Sequence, residues 1–275
     1  MTQPVQAPDA DADRQQGAPP VSRRDRLRAA TTEEIIATAR RLLVESGPEA
    51  VSLRAIAREM GMTAPGLYRY FDSQKELVLH VVAAIFTELS ADIRQAIDAA
   101  APPGPGAAGA AGTAGRREWE RAKMTVKMIA ACREFRRWSL RHRAEFGLLF
   151  GVPLPGMDDE RYDVAQQCAL AFAGTFFALF IELWHGFPFP VPDAADIDAG
   201  LRDQLTRYRD SLGADIPVGA VLVFLRCWTV LYGAVAIEVL GHISFALPDP
   251  APLFELTLGD LARLVGLRYP LETPA

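Results

Sequence analysis

The sequence predicts an all-α protein with a small three-helix head, one long connecting helix and a larger helical body. Three observations carry this. Apolar residues recur at i, i+3, i+4 and i+7 along successive stretches, the period of a helix with one buried face. No stretch alternates apolar and polar residues for long, as a half-buried strand would. Clusters of Gly and Pro punctuate the stretches, at Gly47-Pro48, Ala100–Gly115, Gly151–Gly156, Pro188–Pro192 and Pro248–Pro250.

Composition narrows the class. The chain has 275 residues, half of them hydrophobic, so one large or two modest domains can bury a sizeable core. The net charge is −5, but it is unevenly placed. Ser22 to Glu76 holds ten Lys/Arg against eight Asp/Glu, a net +2, which leaves −7 for the remainder. A mildly basic head on an acidic body is expected. Cys132, Cys168 and Cys227 lie in apolar helical runs without C-x-x-C spacing, which points to buried thiols in a reducing compartment rather than a disulfide frame or zinc site. The four histidines are scattered, so neither a metal nor a cofactor is expected. The N-terminus lacks the apolar core of a signal peptide.

Residues 1–21, rich in Ala, Asp, Gln and Pro, read as a disordered tail. Arg23, Arg24, Arg26 and Arg28 then form a basic arm, either a solvated lead-in or a contact to phosphate or minor groove. Thr31 or Thr32 is expected to start the first helix, with Ile35, Ile36, Ala39, Leu42 and Leu43 on its buried face and Gly47-Pro48 at its end.

The segment Val51–Leu77, VSLRAIAREMGMTAPGLYRYFDSQKEL, is the most informative in the chain. Ser52 is a good N-cap type for a helix over Leu53–Met60, whose apolar stripe is Leu53, Ile56, Ala57 and Met60. Gly61 sits where a left-handed residue ends a helix. Thr63 is a second N-cap candidate, and Pro65 falls in a first turn that loses little by lacking an N–H. Leu67 and Phe71 hold this short helix to the core, leaving Ala64, Gly66, Tyr68, Arg69 and Tyr70 facing outward. Two helices joined by a tight Gly turn form a helix–turn–helix unit, here about 54–73. A plain helical hairpin has the same spacing. The small residues that open the second helix, and the Tyr-Arg-Tyr run that ends it, favour a surface made to approach nucleic acid.

Residues 35 to 79 resemble the DNA-binding domain of the TetR family of bacterial transcriptional regulators. The matching positions are Ala39, Leu42, Gly47, Val51-Ser52, Ile56-Ala57, Gly61, Leu67-Tyr68, Tyr70-Phe71 and Leu77. The resemblance implies a DNA-binding domain over 22–78. Following the family motif, Arg54 is the base-edge candidate, and Thr63, Ala64, Pro65 and Gly66 meet bases by shape or methyl contact. Ser52, Tyr68, Arg69, Tyr70 and Lys75 hold phosphates. The chain departs from the family at Gln74, where a Lys or Arg usually grips a phosphate; either Lys75 takes over or the contact is a weaker, neutral one.

Downstream, Ser73 is a plausible N-cap for a long helix of about Gln74–Ala99, with Leu77, Val81, Ala84, Ile85, Leu89 and Ile93 on its apolar side; residues 79–99 connect head to body. Residues 100–115 read as a flexible Ala/Gly/Pro linker. The body, 116–270, is read as helices over 117–142, 158–186, 197–212, 217–243 and 252–267, with a short apolar segment at Phe146–Phe150. The runs 164–187 and 217–243 are long enough to suggest membrane spans. Glu182, Arg226 and Glu238 make buried core helices the better reading, with no membrane partner.

The body is dense in aromatic residues. Ordinary core packing explains any one of them. As a set, Phe135, Trp138, Phe146, Phe172, Phe176, Phe180, Trp184, Trp228 and Tyr232 are candidates to line an apolar pocket. The family resemblance implies such a pocket for a small hydrophobic effector, and a homodimer formed through about 217–243 and 252–267. Cys132–Gly156 and Arg226–Gly241 also resemble the C-terminal domains of an actinobacterial-style subgroup. The implied function is that of a cytoplasmic regulator, a repressor released from its double-stranded operator by the effector. The alternatives are a ligand-independent regulator and an enzyme. No G-x-S-x-G, P-loop, H-E-x-x-H or paired-carboxylate helix motif supports the enzyme, and no catalytic residue is assigned.

Overall fold

In the computed structural model, residues 22–47, 50–100, 112–151 and 163–269 are described. Among them there are helices and no strand. In chain order these are α1 (Arg23–Ser46), α2 (Leu53–Glu59), α3 (Ala64–Leu67), α4 (Gln74–Ala99), α5 (Gly112–Arg141), α6 (Arg143–Phe150), α7 (Asp163–Gly186), α8 (Ala199–Ser211), α9 (Val218–Val239) and α10 (Ala251–Leu264). The expected tail, all but the ends of the expected linker, and the start expected for α7 at 158 lie outside the described residues.

The head is specified by caps. Ser22, Ser52, Thr63 and Ser73 each accept a backbone N–H from three residues on, so α1 to α4 all begin on a side-chain oxygen that satisfies an orphan donor. Gly61 takes φ +63° after α2. There Met62 N–H donates to the Ala57 carbonyl and Gly61 N–H to that of Arg58, closing the paired bonds of a Schellman end. Buried Ile35, Ala39, Leu43, Ile56, Leu67 and Phe71 then close the head over Leu77 and Val81 of α4.

The first helix corrects one expectation. It begins at Arg23, not at Thr31 or Thr32. The threonine hydroxyls instead donate back to the Leu27 and Arg28 carbonyls, as helix-interior threonines do. The basic arm is therefore the first two turns of α1, and every residue from Ser22 to Ala30 is exposed.

At 26 residues, α4 is about 39 Å long by the α-helical rise. It packs on α1 of the head and on α5, α6 and α7 of the body. Ala84, expected on its apolar side, is exposed. The last four residues of the expected linker are helical, because α5 begins at Gly112. α8 lies on α9, and α9 packs on α5 and α10.

α9 is the described helix long and apolar enough to cross a membrane, yet only a third of its most apolar stretch is buried. It is thus not the fully enclosed core helix expected. Val230, Ile237 and Leu240 remain open on its outer side, and Leu253 and Leu256 of α10 are open beside them. Phe245, in the turn between the two helices, is 90% exposed.

Candidate DNA-binding surface and effector cavity

Within the head, Arg54 is exposed in the first turn of α2, and Thr63, Pro65, Tyr68 and Arg69 are exposed on and after α3. Ala64, Gly66, Ser52 and Lys75 are half-buried. A methyl group on Gly66 would stand 3.2 Å from Thr63 Oγ1, so a larger residue there would press on the cap of α3. Tyr70 departs from its expected outward position. It is half-buried against the head core, with the Arg28 guanidinium 5.6 Å above its ring. Arg28 also donates to the Arg69 carbonyl at 3.1 Å. One arginine of the expected arm thus fastens the end of the reading segment, whereas Arg23, Arg24 and Arg26 stay at the surface.

Gln74 explains the departure from the family motif. Its side-chain amide donates to the Val51 carbonyl at 2.6 Å, which ties the start of α4 to the start of α2. Lys75 is half-buried beside it.

A polar junction joins head to body. Arg40 of α1 pairs through two nitrogens with the Glu88 carboxylate on α4, and its Nε donates to Glu145 Oε1 on α6 at 3.1 Å. Glu145 is only 4% exposed, and His142 Nδ1 lies 3.3 Å from the same oxygen. Hydrogen bonding from Arg40 holds the Glu88 carboxyl below its ordinary value against the opposing effect of burial, and the Arg40 pKa is raised in turn.

In the body, Phe135 of α5 lies 5.6 Å from Phe172, 5.9 Å from Phe150 and 5.9 Å from Trp228, ring centre to ring centre. Phe86 of α4 joins this cluster, 5.7 Å from Phe150 and 5.8 Å from Phe172. Beside it, between α5, α7, α9 and α10, lies a cavity of about 60 Å³. Of the nine aromatic candidates, Phe176, Phe180 and Trp228 line it. The other six do not. Phe135, Phe146 and Phe172 spend their faces on other rings, Trp138 stacks on His142, and Trp184 packs edge-on to Phe189. Tyr232 donates its hydroxyl to the Phe150 carbonyl.

The cavity is completed by residues outside the nine pocket candidates, among them Met128, Cys132, Phe224 and Cys227. Burial pushes the Cys132 thiol up to about 12, with the neighbouring Cys227 adding to it, and pushes Cys227 up to about 11. Both are held as neutral thiols. The Cys168 side chain lies outside the described set. Among the described residues no group of three or more His, Cys, Asp or Glu could hold a metal ion.

Two family models match the chain. One, described as bacterial regulatory proteins of the tetR family, matches residues 35–81. The other, described as a tetracyclin repressor-like C-terminal domain, matches residues 128–261. The chain belongs to the TetR family. It is similar to the HTH-type transcriptional regulators Rv1816 of Mycobacterium tuberculosis and Mb1846 of Mycobacterium bovis. Each is 26% identical over 239 residues, 86% of this chain and 92% of the relative. Among solved structures, one described as that of a regulatory protein, SCO4313, matches with a TM-score of 0.62 at 26% identity, covering 87% of this chain and 98% of that one. A Rhodococcus sp. RHA1 protein of unknown function matches with a TM-score of 0.54 at 16% identity, covering 86% and 95%, and shares the fold.

The protein is therefore a TetR-family transcriptional regulator with a DNA-binding helix–turn–helix. The TetR head model ends at residue 81, four residues beyond the last position of α4 that the motif marks. The TetR body model reaches all four walls of the cavity, with Ala262, Val265 and Leu267 lying just beyond its end. Phe86, which links α4 to the aromatic cluster, falls between the two models. An aromatic residue on the buried side of a helix that otherwise carries aliphatic residues was the available sign of it.

Proposed function

We propose that the protein is a homodimeric repressor that a small hydrophobic effector releases from a double-stranded DNA operator. The observation that carries the proposal is the span of α4. One unbroken helix has its first turn pinned under the reading unit by Gln74 and its middle wedged into the aromatic cluster by Phe86. A change in body packing that reaches Phe86 can tilt or shift that helix, and with it the head.

The chemistry of each site residue supports the reading. Arg54 can pair with a guanine edge in the major groove. Thr63, Ala64, Pro65 and Gly66 present a low surface that permits close approach to bases. Tyr68, Arg69 and Lys75 can donate to phosphate oxygens, as can the Ser52 hydroxyl, which still has its proton to offer while it caps α2. Tyr70 contributes by its hydroxyl and by keeping Arg28 in place.

A second copy of the chain is the partner that suits the open apolar side of α9 and α10. Covering residues such as Ile237, Leu240 and Leu256 contributes on the order of 1.5–3 kcal/mol for each side chain fully buried. The two-fold axis so formed would set two heads on successive major grooves, about 34–36 Å apart. The effector acts only through its different affinity for the DNA-competent and released arrangements. The chain works where bacterial DNA lies, in the cytoplasm.

One observation favours the ligand-independent alternative: most of the aromatic set is packed ring against ring, and the cavity is small. A mobility-shift assay separates the two readings. It uses DNA flanking the protein's own coding region, with and without a panel of hydrophobic compounds. Binding abolished by a compound is the expected result. Binding indifferent to every compound would favour the alternative.

A further inference from the structure

We infer that the cavity takes an uncharged hydrocarbon group that brings no hydrogen-bonding atom of its own, such as a short, slim alkyl chain. The inference rests on the proposed reading that this body holds an effector, and it specifies the effector's chemistry.

The lining decides the class. Every residue that faces the cavity is aliphatic, aromatic, a thioether or a thiol, and no oxygen or nitrogen surface is presented to it. Ligand sites for functionalised molecules place a few polar groups to fix orientation. Here a carbonyl, hydroxyl or amine that entered would lose its hydrogen bonds to water without replacement, and a carboxylate or ammonium would lose far more. The thiols of Cys132 and Cys227 do not alter this. Held neutral by burial, they offer a cation no thiolate, and S–H is a weak donor.

The volume bounds the size. An apolar cavity of about 150 Å³ is known to stay dry and accept benzene. At about 60 Å³ this one holds only a short hydrocarbon segment, and a longer chain enters by pushing its walls apart. Its wall is also placed to respond. Leu258, Leu261 and Ala262 of α10 line it from one side, while Leu253 and Leu256 of the same helix point to the open apolar face. A chain that overfills the slot therefore pushes on the helix proposed to form the dimer.

Hexane, hexanoate and hexylammonium test the inference at equal free concentration on the full-length protein, read by the fluorescence of Trp228. Hexane should give a saturable change that Trp228→Phe removes. The two charged analogues should bind at least about tenfold more weakly, because a buried polar group without partners is disfavoured. Ala262→Phe, which fills the slot, should abolish the hexane response. If that variant does not fold, Cys227→Leu fills the slot from α9 instead. No saturable response to hexane, or equal binding of hexanoate or hexylammonium, overturns the inference. DNA affinity measured in the same samples keeps it apart from the proposed function. Hexane that binds without loosening DNA leaves the ligand class standing and removes effector release. Release by a different compound, with hexane inert, does the reverse.

Discussion

The head and the body are built by opposite means. In the head, four helices begin on Ser or Thr caps, a left-handed glycine ends α2, and single polar contacts from Arg28 and Gln74 lock the reading segment. In the body, the decisive feature is a cavity lining that presents no polar surface: rings packed on rings with a small slot left over. The head's function needs exposed donors held in one place. The function proposed for the body needs a surface that excludes water and can exist in two packings. The contrast teaches that one protein can fix the geometry of one site by local hydrogen bonds and leave another to be defined by shape alone.

The largest effect should come from the body. Phe180→Ala removes a ring that is 1% exposed at the cavity wall and should lower stability by about 3–5 kcal/mol. Urea unfolding measures the loss, and DNA affinity per folded molecule should not change. A matching loss of DNA affinity at low temperature, where the variant is folded, would show that the two regions are not separable in this way.

Next comes the junction. Arg40→Met leaves the nearly buried Glu145 without its arginine and should cost about 2–3 kcal/mol, below the range for a fully enclosed pair because Arg40 is partly exposed. Adding Glu145→Gln should recover most of it. The pH dependence has a definite sign. The Glu88 pKa is lowered in the folded state, so its contribution is present above the ordinary glutamate value of 4.5 and is lost as pH falls through the folded value. Acid titration of stability should show that component in the native protein and lack it in Arg40→Met.

Two smaller effects belong to the head. Arg54→Ala should weaken binding by about 1–3 kcal/mol at one base pair of a mutated operator panel. Equal losses at every position would leave Arg54 as a phosphate contact. Gly61→Ala, at φ +63°, should cost about 1 kcal/mol of stability, read by thermal unfolding.

The same contrast explains what could be read in advance. Caps, the Gly61 turn and the start of α4 are local: each depends on residues within about four positions, and Ser52, Thr63 and Ser73 sit where the sequence places them. The start of α1 was missed because Ser22-Arg-Arg-Asp25 caps a helix as well as Thr31 or Thr32, and only the back-bonded threonine hydroxyls discriminate. Only Phe176, Phe180 and Trp228 of the aromatic candidates line the cavity, for a different reason. Aromatic density marks where volume is filled, whereas an empty space lies where smaller residues such as Cys132, Cys227 and Ala262 face one another from three helices. That meeting is non-local and leaves no mark on the period of any single helix. The Arg40 junction spans α1, α4 and α6 and is hidden in the same way.

The most direct test is the distance between the two heads of a dimer. Spin labels at Arg58→Cys, exposed on α2 and outside the proposed contacts, report it by pulsed electron resonance, with the unsubstituted protein labelled in parallel because Cys132 and Cys227 are only half-buried. On operator DNA the account predicts one narrow inter-protomer distribution, consistent with reading helices about 34–36 Å apart. Saturating hexane should shift or broaden it as DNA is lost. No inter-protomer distance at concentrations that bind DNA, or a distribution that stays unchanged while hexane fills the cavity, would contradict the account.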